Sequence, residues 1–374
     1  MTFFEIIHTS QKSSARVGKI HTPHGVIDTP NFVAVGTNGT IKALDSTMIA
    51  RLGLQLMFCN TYHLLLQPGT AVVKKAGGLH RFINRTMPII TDSGGFQVFS
   101  LAYGSVANEL KGRGTKKYAN SVLKISEDGV LFRSYIDGSK VLLTPETSIQ
   151  AQKDLGADII IPFDELPPYH ISKEALLDSF ERTHRWQKRS LDEHNTNPQG
   201  QKIFAVVHGG IDAELRKRSC EHLRTLGFDG YGIGGSLGKN KEEMMQLLVN
   251  CVPHLPKEAP KHLLGIADIA SLDGAIPLGI DTFDSSYPTK LARHGIALTH
   301  KGPVNITKGE NKTHFGPICP ECSCPTCTGF SLSYLHHLFK AKELTALSLA
   351  TIHNIAFMCE KMQCYRKAIL DNEM

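Results

Sequence analysis

The sequence predicts an α/β fold in which parallel strands alternate with helices and close into a barrel of the TIM type. Short apolar runs recur along the chain, each ending in a polar residue or a glycine, and helical patterns lie between them. No glycine-rich dinucleotide fingerprint follows an early strand, which counts against an open doubly wound sheet.

The first clear run is Pro88-Ile89-Ile90-Thr91, ending in Asp92. Asp158-Ile159-Ile160-Ile161-Pro162-Phe163 follows, ending in Asp164, and then Ile203-Phe204-Ala205-Val206-Val207, ending in His208-Gly209-Gly210. Tyr231-Gly232-Ile233 ends in Gly234-Gly235, and His262-Leu263-Leu264 ends in Gly265. Gly279-Ile280-Asp281-Thr282-Phe283 ends in Asp284. Runs this short and this apolar read as buried strands. Ser172–Arg189 and Lys241–Leu255 carry apolar residues at helical spacing and read as crossover helices. In a barrel the C-terminal strand ends share one face, where active sites sit. Asp92, Asp164, Asp284, His208 and the glycine turns would then converge on one mouth.

Two segments break the alternation. Ala102–Leu131 is polar, with Lys111, Arg113, Lys116 and Lys117 close together, and reads as an exposed insertion. Thr307–Leu338 carries a cysteine cluster ahead of the last helix. We therefore expect one barrel domain over residues 1–374, with a small metal-binding subdomain inside it at 307–360.

The 374 residues include 41 Lys and Arg against 35 Asp and Glu, a formal charge of +6 that permits a polyanionic partner without requiring one. Nine cysteines, several of them crowded into Cys319–Cys327, suit a reducing compartment and a metal site better than a disulfide framework. Met1–Gln11 has no basic region or long apolar run, so no secretory signal is expected, and runs such as Ile159–Phe163 are too short to span a bilayer. The expected location is cytoplasmic. No P-loop and no open catalytic metal site is visible.

Cys322-x-Cys324-x2-Cys327, with a histidine further on, offers three thiolates and an imidazole. That is the closed tetrahedral shell of a structural zinc. His353 lies in Ala341–Met362, a run of strong helix formers, while His336 and His337 compete with it on spacing alone. Cys319 is a spare thiol.

Asp92 stands in Thr91-Asp92-Ser93-Gly94-Gly95-Phe96-Gln97, where two glycines let backbone amides approach a ligand closely. Asp284 stands in Phe283-Asp284-Ser285-Ser286-Tyr287-Pro288. Two carboxylates suit cleavage of an N-glycosidic bond, one at C1′ and one managing the proton on the leaving base. A helix N-cap or turn is the commoner explanation of a lone aspartate at a strand end, and the Ser-Gly-Gly context of Asp92 points instead to ligand contact. Asp164-Glu165 offers either acceptors for a base edge or a capping pair.

With these residues in order, the chain resembles the tRNA-guanine transglycosylase family over nearly its whole length. The matching motifs are Asn60-Thr61-Tyr62-His63-Leu64, Thr91–Gln97, Asp164-Glu165, Gly234-Gly235, Phe283-Asp284 through Pro288-Thr289, and the Cys-x-Cys-x2-Cys set with His353. The resemblance implies an irregular (β/α)8 TIM barrel with a zinc subdomain, one structural Zn2+ per chain held by Cys322, Cys324, Cys327 and His353, and a homodimer. It implies a nucleophile at Asp284, which displaces guanine from tRNA position 34, and a general acid/base at Asp92. Ser93, Gly94, Gly95, Phe96, Asp164, His208, Gly234, Gly235 and Gly238 match the walls that hold the base. Gly265, Ile266, Ala267, Asp268, Ile269, Ala270 and Ser271 match a segment gripping the anticodon, as do Thr289, Lys290, Leu291, Ala292 and Arg293. Lys290 and Arg293 would be its phosphate or base contacts. The implied partners are tRNAs with GUN anticodons (Asp, Asn, His, Tyr) and a 7-deazaguanine base.

Three positions depart from the bacterial pattern. His208 replaces a glutamine, exchanging an amide for an imidazole with differently angled donor and acceptor. Leu166 replaces a cysteine. Gly238 replaces a valine, as in eukaryotic members, which insert queuine where bacterial ones insert the smaller preQ1. Loss of the valine side chain is expected to open room for queuine's cyclopentenediol. A catalytically dead RNA-binding or partner-subunit paralogue is the rival reading, and the presence of both aspartates opposes it.

Overall fold

The computed structural model describes residues 2–103 and 122–374. Eight parallel strands close into a barrel, with helices in the connections between them. In chain order the strands are Asn31–Val35, Leu56–Cys59, Ile89–Thr91, Ile159–Ile160, Lys202–Val207, Gly230–Ile233, Lys261–Leu263 and Thr282–Ser285, the last pairing with the first. The expected runs from Ile89 onward all enter the barrel. Its first two strands come from segments that the apolar pattern did not single out.

Side chains alternate across the wall, as the two-residue period of a strand requires. Val33, Leu56, Phe58, Ile90, Ile159, Phe204 and Val206 share one buried cluster with Ile20 and Ile27, which belong to an antiparallel sheet of Phe4–Thr9, Arg16–Thr22 and Gly25–Thr29. That sheet runs directly into the start of the first barrel strand. It therefore stoppers the N-terminal end of the barrel and leaves the C-terminal ends as the mouth. Phe32, Ala34, Met57, Ile160, Ile203, Ala205 and Ile233 alternate with the first set and pack into the larger outer core. Each fully buried Val, Leu, Ile, Met or Phe among them contributes about 1.5–3 kcal/mol.

The barrel is irregular where Ile159–Ile160 leaves the ladder early, short of the expected Phe163. Side-chain amides complete it. Gln152 exchanges two hydrogen bonds with the Ile161 backbone at 3.0 and 2.8 Å, and Gln187 does the same for Val206 at 2.8 Å each. Both glutamines are fully buried, so each amide replaces ladder partners that the backbone would otherwise lack.

The helix expected over Ser172–Arg189 is Lys173–Thr196, with Ser172 capping the Ala175 amide. It runs past Arg189 because Leu191 and His194 continue the buried face and Lys188 pairs with Asp192 one turn on. Lys241–Cys251 tightens into a 3-10 turn at Val252–His254, where Pro253 supplies no amide hydrogen. The last helix, Leu344–Leu370, packs on the first barrel strand and on Tyr287–Arg293. Among the described residues no helix is long and apolar enough to cross a membrane.

In the described part of the expected insertion Ala102–Leu131, residues 122–131 are mostly exposed or half-buried, with only Gly129 and Val130 buried, and they belong to a small sheet. Val122–Ile125, Val130–Arg133 and Lys140–Leu143 form an antiparallel sheet, and Val130 and Phe132 are buried with Tyr62, Phe163 and Trp186. Lys111, Arg113, Lys116 and Lys117 lie outside the described residues.

Below the barrel, buried Asp158 accepts the Ile89 amide at 2.9 Å and meets His24 at 2.7 Å and His80 at 3.2 Å. Burial pushes its carboxyl up, but these partners outweigh burial and hold it below the ordinary aspartate value.

Candidate functional site

Asp92 leaves the end of the Ile89–Thr91 strand and turns back on the neighbouring loop. Its Oδ1 accepts the amides of Thr61 at 2.7 Å and Gly94 at 3.3 Å, while its Oδ2 accepts Asn60 Nδ2 at 2.6 Å and Gln97 Nε2 at 2.8 Å. Burial pushes the carboxyl up to about 6, against the opposing pull of these donors. Gln97 Oε1 is buried without a partner among the described residues. A half-turn of that amide would present an acceptor to the protonated acid, so one side chain can serve both protonation states. Gly94 has φ +84°, and a side chain on Gly95 would stand 2.5 Å from the Asp164 carbonyl, so both positions require glycine.

Asp284 lies inside the Thr282–Ser285 strand rather than just beyond it, and it is buried. Its Oδ1 accepts the Gly265 amide at 2.7 Å and His262 Nε2 at 3.0 Å. His262 Nδ1 in turn lies 2.8 Å from Thr282 Oγ1. With the Thr282 hydroxyl donating to Nδ1, the neutral ring keeps its proton on Nε2 and aims it at the carboxylate. Oδ2 takes no hydrogen bond from the described residues, which leaves one carboxylate oxygen free for chemistry. In barrel order the strand carrying Asp284 is separated from the strand preceding Asp92 by two others, so both acids stand on the same mouth.

Asp164 bridges Ser93 Oγ at 3.0 Å and His208 Nε2 at 2.9 Å. A side chain on Gly235, which has φ +77°, would face His208 Nδ1 at 3.9 Å and Leu166 Cδ1 at 3.8 Å. Asp164, His208, Leu166 and Gly235 therefore form one wall, and Phe96 stands half-exposed beside Gly95. Ser93 is buried, with its hydroxyl already engaged to Asp164 and to the Gly95 amide at 3.2 Å, so it orients the wall instead of facing a ligand.

Other expectations are corrected. Glu165 turns away from the mouth and pairs with Arg182 at 2.6 Å. Gly238 has φ +97°, and a side chain there would meet Glu243 Cβ at 2.6 Å, so the glycine serves its turn against the following helix. The space attributed to a missing valine is occupied by Glu243. In the segments expected to grip the anticodon, Ala267, Ser271, Thr289 and Ala292 are buried, whereas Gly265, Ala270, Lys290 and Arg293 are exposed. Ile266, Ile269 and Leu291 are half-buried, and Asp268 caps its own helix through the Ser271 amide.

Sequence reasoning missed Asn60 and Gln97 as ligands of Asp92, and His262 and Thr282 as supports of Asp284. A polar His262 at the head of an apolar strand was the available signal. It also missed Arg216, a fully buried residue whose guanidinium touches both glycine loops.

Away from the mouth, Cys322, Cys324 and Cys327 place their sulfurs 3.8, 3.7 and 3.3 Å from His353 Nδ1. His353 Nε2 donates to the Leu298 carbonyl at 2.8 Å, which fixes the tautomer that leaves Nδ1 free as a ligand. The four groups can hold a metal ion. His336 is engaged by the Ile306 carbonyl at 2.9 Å and His337 stacks on Tyr334, so neither joins them.

Comparison with known proteins agrees with this arrangement. The family model described as queuine tRNA-ribosyltransferase matches residues 10–374. A protein of Protochlamydia amoebophila named queuine tRNA-ribosyltransferase is 67% identical over 374 residues, covering 100% of this chain and 97% of that relative. Proteins of the same name from Chlamydia felis and Chlamydia trachomatis serovar L2 are 53% and 50% identical over 372 residues, covering 99% of each chain.

Proposed function

Because the chain belongs to the queuine tRNA-ribosyltransferase family, we propose that it exchanges guanine for a 7-deazaguanine base, queuine or preQ1, at position 34 of tRNAs with GUN anticodons, by double displacement. The observation that carries this reading is the pair of buried acids at one barrel mouth, one with a free carboxylate oxygen and one raised to about 6.

Asp284 Oδ2 attacks C1′ of the ribose as the C1′–N9 bond breaks, and the sugar passes through an oxocarbenium-like state to a covalent ester. Protonated Asp92 gives its proton to the departing guanine. The incoming base then loses its N9 proton to Asp92, N9 attacks C1′, and the ester bond to Asp284 breaks. His262 and Gly265 hold the nucleophile in place, and they also stabilise it when it leaves as a carboxylate.

Asp164, His208 and the Gly235 amide would hold the heterocycle, with Phe96 on its face. Lys290 and Arg293 would contact the anticodon backbone, in keeping with their exposure. The four metal ligands suit zinc, which in a closed shell of this kind supplies structure instead of a reactive water. It would tie the segment from Cys322 through the short Pro325–Gly329 helix to the last helix, within a 307–360 subdomain. Exposed Phe315, Phe330, Tyr334 and Leu344 on that side support a homodimer.

The test is release of labelled guanine from such a tRNA, with queuine and preQ1 compared as incoming bases. Exchange at low queuine concentration supports the reading. No release with either base, in metal-loaded protein, would favour a non-catalytic RNA-binding role.

A further inference from the structure

Arg216 stands near the start of the Ala213–Leu223 helix and has no exposed surface. Among the described residues no carboxylate pairs with it. Its partners are carbonyl oxygens: Nε donates to Gly210 at 2.8 Å, Nη1 to Val207 at 2.8 Å, and Nη2 to both Gly234 and Ser236 at 2.9 Å. Two of these oxygens belong to the loop that carries His208 and two to the loop that carries Gly235. A buried guanidinium without a counter-ion is costly to keep, and here it serves as donor to four loop carbonyls.

The peptide between Gly234 and Gly235 explains what the guanidinium does. In a trans peptide the C=O and N–H point in opposite directions. With the Gly234 oxygen drawn back to Arg216, the Gly235 N–H faces the other way, and it finds no acceptor among the described residues. We infer that Arg216 is a positioning residue for base recognition: it locks the two glycine loops so that the Gly235 amide donates to the carbonyl oxygen of a purine-like base. This rests on the proposed exchange reaction. Arg216 touches no substrate itself, and lysine, which lacks the planar fork, cannot reach carbonyls of both loops at once.

The experiment compares the parent with Arg216→Lys and Arg216→Ala in guanine exchange, with thermal unfolding as a control. The expected result is a rise of about tenfold or more in KM for the base, with KM for tRNA within about twofold of the parent. Methylguanidinium should partly restore the base KM of Arg216→Ala. In the parent, hydrogen exchange across residues 234–236 should slow when guanine is added, a measurement that needs no variant to fold. A folded Arg216→Lys with unchanged base KM, or no protection of 234–236 by guanine, would overturn the role of Arg216 while leaving the reaction intact. Absence of guanine exchange in the parent would contradict the reaction and, with it, this inference.

Discussion

At the scale of single residues, the site divides into acids and the groups that tune them. Asp92 is raised because burial outweighs four donors, so its ionisation falls near pH 6 instead of near 4. The two half-reactions should therefore read opposite limbs of one titration. Guanine release needs the protonated acid and should weaken as pH rises through about 6. Capture of the incoming base needs the carboxylate and should weaken as pH falls through it. Asp92→Asn is expected to abolish both inflections and to slow exchange on the order of 10²–10⁴-fold, measured as separate pH profiles for tRNA and base. The acids themselves were legible in the sequence because each follows a buried run. Their supports were not: Asn60 and His262 reach across from neighbouring strands, and only closure of the barrel brings them within hydrogen-bond distance.

At the scale of elements, loops decide what strands cannot. The Gly238 turn illustrates how a local comparison misleads. Read as a gap in a pocket, it predicts that Gly238→Val should discriminate against queuine alone. The structure gives a different expectation, since the left-handed backbone and the Glu243 contact make valine a strain of about 1–3 kcal/mol on the turn. Use of queuine and preQ1 should fall together in that variant, with a lowered Tm. A selective loss of queuine would restore the steric reading. Strand legibility followed burial. Runs flanked by glycine or aspartate announced themselves, whereas Leu56–Cys59 is four residues long and follows Leu52-Gly53-Leu54-Gln55, too short a run to separate strand from helix.

At the scale of the whole molecule, the sheet that stoppers the barrel and the Cys322, Cys324, Cys327 and His353 cluster, which can hold a metal ion, are the places where stability is testable. Asp158 is held below its ordinary value, so its contribution is present above the unfolded aspartate pKa and is lost as pH falls through the folded one. Asp158→Asn should lower stability by about 1–3 kcal/mol at pH 7, and the gap in Tm should begin to close only as pH falls below ~4, towards the depressed folded pKa. His353→Ala, or metal removal by a chelator, should also lower Tm, by several kcal/mol in equivalent stability, with about one metal per chain lost. Covalent catalysis by Asp284 underlies the whole proposed exchange. The direct test is to mix the parent enzyme with substrate tRNA, quench with denaturant, and map the ribosylated peptide by mass spectrometry. A protein–tRNA adduct on Asp284 is expected, disappearing when excess guanine is added before quenching. An adduct on Asp92, or undiminished guanine exchange by Asp284→Ala, would contradict it.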